Sequence, residues 1–181
     1  LHCSTNVSIG LGAMIAIQFF ETLGSPMNLG GISSSCFVTK YKRLMSDLKI
    51  LITGGLGYLG GRIADFLRRN HPESTIALGT SRKISEAPDW AKAFQIVQLN
   101  ILDPASIEKA VSNDISVVIH LAALNEHDSL KNIEAAWKTN TLGTQALLSA
   151  AGQKQILKFI YFSTFHVYGD CQGEITEDSP T

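Results

Sequence analysis

A turn of glycines between an apolar strand and an amphipathic helix constrains this chain more than any other feature. Leu48–Thr53 (LKILIT) is a short apolar run, the pattern of a strand covered on both faces. It leads into Gly54-Gly55-Leu56-Gly57-Tyr58-Leu59-Gly60-Gly61, where glycines 54, 57 and 60 have the spacing GxxGxxG. Leu59, Ile63, Phe66 and Leu67 then recur at helical spacing and predict a helix ending near Asn70. Three demands meet in such a turn. The chain reverses tightly, a pyrophosphate must reach backbone N–H groups with no Cβ in the way, and the helix must pack close to the sheet. The helix N-terminus adds unpaired donors and the positive end of its dipole. A glycine motif alone is weak evidence; the flanking strand and helix make this one a candidate dinucleotide site at Gly54, Gly57, Tyr58, Leu59 and Gly60.

The alternation continues. Thr75–Leu78 and Phe94–Leu99 predict two more strands, and Asp103 caps a helix that has Pro104 at its first position and runs to about Ser112. Ser116–Leu121 is a fourth strand, a long helix covers roughly Lys131–Gly152, and Leu157–Ser163 is a fifth strand. Strands alternating with helices predict parallel βαβ units in a doubly wound α/β sheet, here cut off after the fifth strand.

Composition excludes several classes. With 45% hydrophobic and 17% charged residues, the 181-residue chain has a globular balance and the length of one domain. Its net charge of −1 has no basic block, so nucleic acid is not an expected partner. Cys3, Cys36 and Cys171 form neither a CxxC pair nor a disulfide framework, which points to a reducing, cytoplasmic location. The apolar stretch Ile9–Phe20 contains Gln18 and is far shorter than the roughly 20 residues of a bilayer span, so no membrane partner is expected.

Residues 1–44 differ in character from the rest of the chain. Glu21 stands against Lys40, Lys42 and Arg43, so the segment carries +2 and the remainder −3. It shows no sustained period, and Met45-Ser46 directly precedes the first convincing strand. The expectation is that 1–44 is a leader or a mis-assigned upstream extension outside the fold, with organelle targeting as the rival reading.

Further candidates lie at strand ends. No acid occurs from Ser74 to Ile84, where an NAD site would place one for the ribose, while Ser81 and Arg82 suit a 2′-phosphate; NADP is therefore expected over NAD. Asn100 and Ile101 follow the third strand, Asn100 reading equally as an adenine contact or a turn former. Leu121, Ala122 and Ala123 end the fourth strand, the alanines with side chains small enough for close cofactor approach, and His120 reads as a core histidine before a catalyst. Asn140 shares a helical face with Ile133, Trp137, Thr144, Leu147 and Ala151, and a buried amide there needs partners in the backbone, the cofactor or both. The polar run Asn125-Glu126-His127-Asp128 is either a substrate-reading loop or an ordinary solvated one, and His166 is equally open. No cluster has metal-ligand spacing.

The blocks TGGLGYLGG (53–61), VVIHLAA (117–123), NTLGT (140–144) and FIYFSTFHVYGD (159–170) together resemble the extended short-chain dehydrogenase/reductase family, the NAD(P)-dependent sugar epimerases and dehydratases. The resemblance covers about 48–181 and only the N-terminal half of a typical member. It implies an incomplete NAD(P)-binding Rossmann domain over 45–181, in which Gly54, Gly57 and Gly60 bind pyrophosphate and Ala122, Ala123 and Asn140 line the cofactor. Thr164 takes the place of the family's catalytic Ser/Thr. The family's Tyr-x-x-x-Lys pair has no counterpart, since Tyr168 is followed four residues on by Gln172. The parent protein is thus expected to be an oxidoreductase acting on a nucleotide sugar or related hydroxyl compound, with a homodimer as its assembly. Residues 1–181 alone are expected to be inactive or nearly so. A non-catalytic NAD(P)-binding or redox-sensing module is the alternative.

Overall fold

The computed structural model describes residues 48–154 and 156–169 (the side chains of 165 and 166 excepted), residues 175–176 and 179, and the backbone of 3–4 and 17–20. The strands are β1 Cys3–Ser4, β2 Ile17–Phe20, β3 Lys49–Thr53, β4 Thr75–Thr80, β5 Gln95–Gln98, β6 Val117–His120 and β7 Lys158–Phe162. The helices are α1 Tyr58–Asn70, α2 Pro104–Ala110, α3 Glu126–Lys131, α4 Ile133–Ala136 and α5 Thr144–Gln153, with a π-helical segment Trp137–Gly143 between the last two.

One sheet has the order β1-β2-β7-β6-β3-β4-β5. Its five strands from β3 onward are parallel. β3 pairs with β4 on one side and β6 on the other, so the strand order reverses there, and a crevice forms outside the carboxyl ends of those strands. β3 is central because it is apolar on both faces. Ile50 and Ile52 join the core layer beneath α1, and Leu51 joins the layer beneath α2 and α5 with Val118, Leu147 and Phe159. Each such fully buried aliphatic contributes about 1.5–3 kcal/mol. Asp103 caps α2 as its position predicts, its carboxylate accepting from Ala105 N–H at 3.1 Å.

β2 lies antiparallel against β7, with Ile17 opposite Phe162 and Phe20 opposite Phe159, and β1 pairs with β2. The remainder of 1–44 lies outside the described residues.

The single helical face expected from Ile133 to Ala151 is corrected. Leu147 and Ala151 are buried, but Ile133 is 75% exposed and Trp137 60% exposed. The π segment explains this. Bonding to the fifth residue back puts more residues into each turn, so side chains before and after Trp137–Gly143 lose their common register. Among the described residues, no helix is long and apolar enough to cross a membrane.

Candidate functional site

The glycine turn is shaped by what cannot fit. Gly54 has φ +65, and a Cβ on it would meet Ala122 N at 3.0 Å and Leu121 C at 3.1 Å. At Gly60 a Cβ would lie 2.6 Å from Gly54 O and 2.7 Å from Gly55 Cα, so α1 sits directly on the turn only because position 60 has no side chain. The turn is closed by Gly57 N–H donating to Gly54 O at 2.9 Å and tied to β4 by Gly55 N–H donating to Gly79 O at 3.0 Å. Gly57 begins α1 without a side-chain cap, and no acid stands in the first turn. The start of α1 lies at a cleft of about 320 Å³ lined by Gly54, Gly57, Tyr58, Leu59, Gly60, Leu121, Phe162 and Ser163. An uncapped helix N-terminus set on a turn too tightly packed for a Cβ at Gly54 or Gly60 suits a pyrophosphate.

A chain of hydrogen bonds fixes the opposite wall. Thr53, fully buried at the end of β3, accepts from Leu121 N–H and Ala122 N–H at 3.1 Å each. Its hydroxyl lies 2.6 Å from His120 Nδ1, and His120 Nε2 lies 2.9 Å from the Thr144 hydroxyl. Thr144 donates to Asn140 O at 2.8 Å. The Asn140 side chain returns to the same wall, accepting from Leu124 N–H at 2.8 Å and donating to Leu124 O at 3.0 Å. Residues 121–124 are therefore held at both ends by one circuit. Burial pushes the His120 pKa down from 6.5 to about 4, so the ring is neutral at neutral pH.

Thus the structure brings together the glycine turn, Leu121, Ala122 and, through Leu124, Asn140. Gly143 lets the π segment lie against Ile101, whose carbons a Cβ there would meet at 3.0 Å; Ile101 is buried in that contact. Ala123 is exposed beyond Ala122. Ser81 and Arg82 are exposed at the tip of β4, where Arg82 N–H donates to Thr80 Oγ1 at 3.1 Å. Asn100 acts in a turn, its side chain accepting from Leu102 N–H at 3.0 Å. Asn125 caps α3, accepting from Asp128 N–H at 2.9 Å, and His127 is exposed on that helix. Thr164 is exposed just past the carboxyl end of β7, before a single 3₁₀ turn; the side chain of His166 lies outside the described residues. Tyr58 is 78% exposed, with the Arg62 guanidinium 5.6 Å above its ring. Among the described residues no group of three or more His, Cys, Asp or Glu is placed to hold a metal.

Sequence reasoning missed Thr53 as the hub and Phe162 and Ser163 as lining residues. The available signal for Thr53 was a lone hydroxyl closing an apolar strand directly before a glycine.

The model of the NAD dependent epimerase/dehydratase family matches residues 50–181. A dTDP-D-glucose 4,6-dehydratase of Dictyostelium discoideum is 35% identical over 139 residues, covering 72% of this chain and 32% of that protein. The structure of the UDP-Glc/GlcNAc 4-epimerase from Campylobacter jejuni superposes with a TM-score of 0.64 at 26% identity, covering 74% of this chain and 42% of that one. A UDP-glucose-4-epimerase from Stenotrophomonas maltophila, solved with bound NAD and formylated UDP-arabinopyranose, shares the fold with a TM-score of 0.64 at 23% identity, over 74% of this chain and 42% of that one. The chain spans between about a third and just under half of the length of the curated relatives it matches.

Proposed function

Since the chain belongs to the NAD dependent epimerase/dehydratase family, we propose that it forms the dinucleotide-binding half of an oxidoreductase acting on a nucleotide sugar or a related hydroxyl compound. The carrying observation is the turn itself: α1 starts uncapped on Gly57, the turn beneath it is packed too closely for a Cβ at Gly54 or Gly60, and Gly54, Gly57 and Gly60 line the cleft. Gly54, Gly57, Tyr58, Leu59 and Gly60 hold the pyrophosphate, with Leu121 and Ala122 forming the wall beside it. Bound there, the nicotinamide supplies hydride exchange with a substrate carbon. Thr164, at the carboxyl end of β7, holds the substrate oxygen by its hydroxyl. Relatives named for dTDP- and UDP-linked sugars support the substrate class.

At the ribose we propose a preference for NADP. No carboxylate stands at the tip of β4, and Ser81 and the exposed Arg82 guanidinium suit a 2′-phosphate. None of the four tyrosines of residues 1–181 has a lysine four positions on, so this polypeptide binds without turnover. Titration of the purified 181-residue chain with NADH and NADPH, followed by nicotinamide fluorescence, tests the reading. Saturable binding, tighter for NADPH, is expected. Absence of saturable binding to either would overturn the proposal, and conversion of a nucleotide sugar by the same preparation would overturn its inactivity.

A further inference from the structure

The geometry points to His120 as a positioning residue for the dinucleotide cleft, its Nε2-protonated tautomer holding the Thr53 hydroxyl in the one orientation that fixes the Leu121–Ala122 wall. This rests on the dinucleotide reading and deepens it, because it names a group outside the cleft that sets the cleft's shape.

The assignment comes from counting protons and lone pairs. A threonine hydroxyl has one proton and two lone pairs. At Thr53 both lone pairs are taken by Leu121 N–H and Ala122 N–H. Its proton must go elsewhere, and His120 Nδ1 at 2.6 Å is the acceptor in reach. Nδ1 is therefore unprotonated and Nε2 carries the hydrogen. The other side of the ring agrees independently. The Thr144 proton goes to Asn140 O, so its oxygen accepts from His120 Nε2. In the opposite tautomer, Nδ1–H would be a third donor to the Thr53 oxygen, whose own proton would have no partner. That is costly where no water reaches, since His120 is 1% exposed and Thr53 is fully buried. A cationic ring presents the same conflict. Phe159 and Tyr161 flank the ring at 5.9 and 5.8 Å and hold its plane.

Leu121 and Ala122 connect this to binding. Leu121 lines the cleft, and Ala122 N is the atom that a Cβ on Gly54 would strike. If the Thr53 hydroxyl turns away, both N–H groups lose their acceptor and the wall against the glycine turn is released.

Two substitutions separate this from general packing. In His120→Asn the amide oxygen takes the place of Nδ1, restoring an acceptor for Thr53 but not the contact to Thr144. In His120→Gln the amide reaches the Nε2 position instead. Binding of NADH and NADPH by the 181-residue chain is expected to hold within about threefold in His120→Asn and to weaken about tenfold or more in His120→Gln, compared at matched melting temperature. Equal losses in the two, or a greater loss in His120→Asn, would overturn the role. Long-range ¹H–¹⁵N correlation spectra of the wild-type chain at neutral pH supply a readout that needs no variant to fold: Nε2–H is expected, and Nδ1–H or a doubly protonated ring would overturn the assignment. If wild-type protein shows Nε2–H but binds neither dinucleotide, the cleft reading fails and the tautomer stands.

Discussion

The two regions proposed here to meet the dinucleotide are built on opposite plans. At the glycine turn the proposed recognition is by the backbone: an uncapped helix start, a wall of main-chain amides pinned by Thr53, and glycines that let the turn pack without Cβ atoms. At the tip of β4 the proposed recognition is by side chains, with Ser81 and Arg82 exposed beyond Thr80. The first part is fixed by sterics and buried hydrogen bonds, so the ligand meets a ready site. On the proposed reading the second would order its exposed side chains around a phosphate, and each has rotamer freedom to lose. Affinity for any dinucleotide should therefore reside in the turn, and the choice between dinucleotides at the tip.

The sharpest way to break this contrast is Gly60→Val. Its Cβ would sit 2.6 Å from Gly54 O and 2.7 Å from Gly55 O, both of them backbone atoms. A loss of more than about 3 kcal/mol in stability is expected by urea denaturation, with no measurable binding of NADH or NADPH. Near-native affinity in this variant would show that the turn does not set the site.

Acid should loosen the same wall by a comparable amount. Folded His120 titrates at about 4 against 6.5 for the free side chain, so the unfolded chain binds more protons between those values. Stability from this group is complete above pH 6.5, falls as pH drops toward 4 and levels off below. The loss amounts to about 3 kcal/mol. The ring's neighbours Thr53, Thr144, Phe159 and Tyr161 include no carboxylate or amine that would offset it. Urea midpoints of wild type and His120→Asn across this range check the point, since the variant should lack that slope.

Arg82→Ala sharpens the contrast from the other side and should have the smallest effect. NADPH affinity is expected to fall about five- to tenfold, the scale of one exposed charge-assisted contact, while NADH affinity changes less than about twofold. Equal losses for the two dinucleotides would remove Arg82 from the 2′-phosphate.

Much of this was legible in the sequence, for reasons that differ by element. The strand–glycine–helix unit at 48–70 is a local pattern in which period, turn and helix onset agree, and the parallel order comes from alternation. Asn140 was legible as an amide needing partners, which the Leu124 backbone supplies. The π segment was not, because a reading at 3.6 residues per turn places Ile133 and Leu147 on one face and carries no signal for a widened turn. β2 was equally hidden: Ile17–Phe20 pairs with a strand about 140 residues away, and nothing in its own composition encodes that partner. Thr53 escaped notice because a threonine in a strand is ordinary until its two backbone donors are in view.

The widened turn at Trp137–Gly143 also bears on how chains of this kind diverge. An extra residue taken up inside a helix acts as an insertion absorbed without a loop, and it uncouples the surfaces on either side. Ile133 before it and Trp137 at its start face water; downstream, Leu147 and Ala151 are committed to the interior. Deleting one residue within 137–143 would rotate the upstream half by roughly 100° and turn two large apolar side chains inward. Gaps between relatives are therefore expected to fall outside 137–143 of this helix.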